Sequence, residues 1–241
     1  MTLNKEDIEL KLIANVPISI EGAPDLVLPS FRTVAERDLS KYYQYLSVLL
    51  INKDIFNKEF DDDRITNFDV FFSNCYHSLE FRELAFDGLH LFFLEEPTLH
   101  EGETDVSIKF STGFINRNNF DDIQYILKLA HHIKNENKPE FKAANSKAQE
   151  MIDMIFRNRT KQPPKKEKID LMSMATGLGW KSNGISIREV FDLSIYQIYN
   201  GFFSTNNIDN YEHTISGIYA GTIESKNIKL PDIHWANKID N

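Results

Sequence analysis

Phe191-Asp192-Leu193-Ser194-Ile195-Tyr196-Gln197-Ile198-Tyr199-Asn200-Gly201-Phe202-Phe203 is the stretch that decides the architecture of this chain. Ser194 stands just ahead of an apolar run, where its side-chain oxygen can cap the first turn of a helix. With a repeat of about 3.6 residues per turn, Tyr196, Tyr199 and Phe203 fall on one face. Such a face serves either as core or as a docking surface, since Tyr and Phe are enriched at the centres of protein interfaces. Tyr196, Tyr199, Phe202 and Phe203 are therefore the candidate partner-binding residues.

The sequence around this stretch is also helical in pattern. Ser186 and Glu189 have the spacing of a capping box. Residues 171–175, 187–192, 195–203 and 209–220 predict helices, and Gly221 is placed to end the last of them. Gly177-Leu178-Gly179 has no third glycine and no Lys-Ser ending, so it reads as a helix C-cap and not as a phosphate loop. Trp235 is expected to pin the C-terminal segment down. Residues 169–241 thus predict an all-helical lobe. Ahead of them, residues 159–168 carry two prolines and many charges without an apolar anchor, the composition of a linker.

Residues 1–158 predict an α+β lobe. Residues 7–30 look extended, with a turn at Gly22-Ala23-Pro24. Thr33 and Glu36 suggest a capped helix carrying Val34, Leu39, Tyr42, Leu46 and Leu49. Asp61-Asp62-Asp63 forms a solvated turn, and Thr66 or Asn67 caps a helix bearing Phe68, Phe71, Phe72, Cys75 and Leu79. Leu89–Leu94 and Val106–Ser111 read as two strands of a β-hairpin joined by an acidic loop. Asn118 or Asn119 caps a helix with Phe120, Ile123, Ile126, Leu127 and Ala130 inward, and a further helix is expected at 146–157. The fold class is α+β, mostly helical, with a small antiparallel hairpin in the first lobe.

Composition narrows the function. The chain has 241 residues, 41% of them hydrophobic and 26% charged, with 18 Phe and nine Tyr, enough to build a packed core. Its net charge of -9 repels phosphate, which argues against nucleic acid as a partner of the chain as a whole. The exception is a basic run of Arg157, Arg159, Lys161, Lys165, Lys166 and Lys168, the nucleic-acid-binding alternative, although it lacks the aromatics that stack bases. The one cysteine, Cys75, excludes an intrachain disulfide and sits in apolar surroundings that suit a buried thiol. The acidic N-terminus is unlike a signal peptide. The longest apolar runs are four residues, against the roughly 20 of a membrane span. No membrane partner is expected, and the cytoplasm is the expected setting.

Candidate chemistry is sparse. The seven histidines have no converging ligand spacing; the adjacent pair His131-His132 points in divergent directions and reads as solvated or capping at a helix C-terminus. The triple Asp lacks the ladder of a calcium loop. There is no G-x-S-x-G element. Neither metal nor cofactor is expected, and the chain reads as a non-enzymatic protein.

Several segments taken in order carry a resemblance: Tyr42-Tyr43-Gln44-Tyr45-Leu46, Asn119-Phe120-Asp121-Asp122-Ile123, the basic linker, and Phe191–Gln197. Ile218-Tyr219-Ala220-Gly221 and His234-Trp235-Ala236-Asn237-Lys238-Ile239 complete the set. The chain resembles the tail-morphogenesis, tail assembly chaperone-like proteins of phages and prophages of Gram-positive bacteria. Ser194 stands where that family often has Thr. The resemblance implies a protein of the host cytoplasm or the virion that acts by protein–protein contact. Its partners would be tape-measure, tail or other virion proteins, with self-association as a further option. A virion structural subunit is the alternative role.

Overall fold

The computed structural model describes residues 4–53, 65–102, 105–133, 169–181, 184–224, 226 and 228–238. The Asp61-Asp62-Asp63 turn, the helix expected at 146–157, the linker at 159–168 and the whole basic run Arg157–Lys168 lie outside the described residues. The fold is α+β and mostly helical, with a small antiparallel sheet and a helical C-terminal region.

The chain opens with a helix, not with extended structure. Helix α1 (Lys5–Ala14) is capped by the Asn4 side chain, which accepts from the Glu6 N–H. It ends at Asn15, whose left-handed backbone (φ 50°) lets its N–H bond back to Leu12. Only Ile8 and Leu12 are buried, so the apolar stripe is too narrow to read as a helix by periodicity alone. The expected turn at 22–24 holds: Ile18 and Leu26 exchange both backbone hydrogen bonds at 2.9 Å.

Helix α2 (Phe31–Arg37) starts earlier than the Thr33 capping pattern suggests. Ser30 is the N-cap and accepts from the Thr33 N–H at 3.2 Å. Asp38, at φ 79°, ends α2 and caps helix α3 (Leu39–Leu49), splitting what reads as one helix. Helix α4 (Asn67–His77) begins with a Thr66/Asp69 capping box and buries Phe68, Phe71, Phe72 and Cys75 as expected, but Leu79 does not join this face: Ser78 ends α4 and Leu79 is exposed at the start of the next helix.

Leu89–Leu94 corrects the hairpin expectation. It forms the end of helix α5 (Leu79–Phe93), which Ser78 caps and Leu94 closes in a left-handed conformation. A short apolar run cannot be assigned to strand or helix by pattern, and here packing against α3 decides. Gly88 permits that packing: a Cβ there would stand 3.0 Å from the Tyr45 Cβ. The partner of strand β2 (Val106–Lys109) is instead β1 (Thr98–Glu101), with Leu99 opposite Ile108. β3 (Phe114–Ile115) completes an antiparallel meander in the order β1-β2-β3.

Helix α6 (Phe120–Ala130) turns the face Phe120, Ile123, Ile126, Leu127 and Ala130 inward, as expected. Asn119 does not cap it through its side chain. Its amide donates to the carbonyls of Phe114 and Glu21 at 2.9 and 3.2 Å, tying β3 to the 21–22 turn.

Beyond residue 168 every described element is helical. Helix α7 (Leu171–Trp180) has an Asp170/Ser173 capping box and runs through Gly177-Leu178-Gly179 without ending there. Gly179 brings α7 against helix α8 (Ile187–Val190): a Cβ there would lie 2.8 Å from the Ile187 Cα. The Ser186/Glu189 and Ser194/Gln197 capping boxes form as the sequence predicts. Helix α9 (Ile195–Tyr219) is continuous, joining two runs that read as separate helices. Gly221 then takes φ 70° at its end.

Residues 191–194 join the earlier part of the chain through backbone bonds. The Phe31 N–H donates to Leu193 and the Arg32 N–H to Phe191, both at 2.7 Å. Phe31 and Phe191 stack at 5.2 Å, and Arg32 pairs with Asp192 at 2.9 Å. Leu171, Met174, Val190, Ile195 and Ile198 lie in the same apolar cluster as Ile8, Tyr42 and Phe92.

Candidate functional site

The aromatic face of α9 meets the end of α6. His132 sits just past α6 with φ 52°, and its ring lies 5.4 Å from Tyr196, 5.0 Å from Tyr199 and 5.8 Å from Phe203. The Tyr196 ring is nearly parallel to it, at 15°. Three of the four residues singled out as partner-binding thus hold an internal histidine. Tyr196 is buried, while Tyr199, Phe202 and Phe203 are half-buried, and Phe202 meets Phe203 edge-on at 5.6 Å.

His131 is not the solvated helix-end cation that its position suggests. It is buried, and its Nδ1 lies 2.6 Å from the Leu127 carbonyl. A carbonyl can only accept, so Nδ1 carries the proton and donates. Nε2 then accepts from the Tyr42 hydroxyl, also at 2.6 Å. Burial drives the His131 pKa down to about 4, outweighing the opposing hydrogen bond to Leu127. Burial also holds the Tyr42 phenol well above its ordinary value. The pair is neutral and sealed against Phe92.

Above this pair, the outer face of α3 opens onto an apolar cleft of about 620 Å³. Leu39, Tyr43, Leu46 and Leu50 form one wall, with Leu171, Met172 and Tyr199 opposite. A second cleft of about 660 Å³ shares Leu39 and Met172 and continues past Phe31, Val34, Ala175 and Phe191. Tyr43 is 47% exposed and Met172 is 61% exposed. These large apolar side chains stand at the rim of the groove without being drawn into the core.

Gln124 is a buried polar group that pattern reading had no means to find. Its amide donates to the carbonyls of Leu49 and Ile51, both at 2.9 Å, satisfying the end of α3. The sequence places Tyr42 on a helix face and His131 at a helix end, but it cannot pair them, because they are 89 residues apart. Cys75 is buried as expected, and desolvation pushes its thiol pKa up to about 12. Trp235 is 49% exposed. The C-terminal segment is tied mainly by His234 against Tyr211, at 5.1 Å, and by Lys238 to Glu6, at 2.9 Å. Among the described residues no group of three His, Cys, Asp or Glu side chains is arranged to hold a metal ion, and no helix is long and apolar enough to cross a membrane.

The geometry is that of a helical scaffold presenting an apolar groove beside an internally stacked aromatic face. Residues 161–240 match the family model described as the YomV second domain. That family is phage-derived, from the Bacillus prophage protein YomV, and the match supports a phage protein. The matched stretch contains α7, α8, α9 and the C-terminal segment. No curated protein and no solved structure matches the chain.

Proposed function

We propose that this is a phage protein that grips another polypeptide during particle assembly, without itself being an enzyme, and that the groove between α3 and α7 is its grip. Tape-measure or tail subunits are the partners this reading names. The observation that carries it is the groove: Tyr43 and Met172 are held at its rim, with an apolar floor of Leu39, Leu46 and Leu50. Exposed Tyr and Met flanking an apolar channel suit transient cover of a hydrophobic segment, because Met adapts its shape and Tyr adds a polar tip. The match of residues 161–240 to a phage-derived family adds support. So does the resemblance of the chain to tail assembly chaperones.

The test is co-expression with phage tail-tube and tape-measure proteins. The double variant Tyr43→Asp/Met172→Asp should abolish co-purification and leave the thermal midpoint of the free protein unchanged, since both side chains face solvent. Undiminished co-purification of that variant would sink the groove as the grip. Mass spectrometry of purified particles separates the two roles: a chaperone is absent from them, and a structural subunit remains.

A further inference from the structure

We draw no further inference here: the strongest candidate, the apolar surface left along the outer half of α9 and the C-terminal segment by Ile208, Tyr219, Ile223 and Trp235, is an unpartnered face, and nothing in the structure shows what covers it.

Discussion

Lowering the pH from 7 to 4 should cost this protein stability through His131. The imidazole is buried and neutral, and its pKa falls from 6.5 to about 4. In the unfolded chain the same ring protonates near its ordinary value. Above pH 6.5 both states are neutral and the residue contributes no pH dependence. Between 6.5 and 4 the unfolded chain takes up a proton that the folded protein refuses, so stability is lost as pH falls and levels off below the folded pKa. At about 1.4 kcal/mol per pKa unit, the loss amounts to ~3 kcal/mol. Carboxylates also titrate at the acid end, so the measurement is a difference. Urea unfolding of the wild type and of Tyr42→Phe/His131→Leu, which replaces both polar partners by apolar groups, is recorded at intervals from pH 7 to pH 4. The stability gap between them should be flat near pH 7 and then shift by ~3 kcal/mol toward the variant. A gap that stays constant across the range would refute the buried neutral histidine.

Gln124→Leu should destabilise by about 1–3 kcal/mol in chemical unfolding, because the Leu49 and Ile51 carbonyls lose their donor in a dry site. Gly179→Ala should cost about 1–3 kcal/mol, since the new methyl meets the Ile187 backbone and α7 and α8 must separate; an unchanged thermal midpoint would contradict that packing. The Cys75 thiol, held near 12 by burial, should stay unreactive toward a thiol reagent at pH 8 in the native protein and react at once in denaturant. Labelling of the native protein at the denatured rate would show that α4 does not bury it.

Local chemistry made several features legible in advance. Thr66, Ser186 and Ser194 mark helix starts because a cap hydrogen bond is made within three residues. The apolar faces of α4 and α6 follow from helical spacing, and the burial of Cys75 follows from its apolar neighbours. Where the pattern is weak, local sequence does not decide the element. α1 buries too few residues to show a period, and Asp38 breaks a helix that hydrophobic spacing alone continues. The apolar end of α5 satisfies both strand and helix templates, and only the close approach of α3 at Gly88 selects the helix.

The candidate sites divide in the same way. Tyr196, Tyr199 and Phe203 could be placed on one face from sequence, but not opposite His132, which α6 carries in from elsewhere in the chain. The grooves could not be anticipated, because each is walled by segments distant in the chain, such as Tyr43 with Met172.

The sequence by itself determined the mostly helical α+β class, the helix caps at Thr66, Ser186 and Ser194, and the acidic, aromatic-rich character of the chain. These depend on hydrogen bonds and periodicities that span a few residues. The tertiary structure decided which polar groups are buried, how His131 is protonated and where apolar surface is left open. Desolvation and packing are set by whatever the rest of the chain brings into contact, and no local window of sequence contains that information.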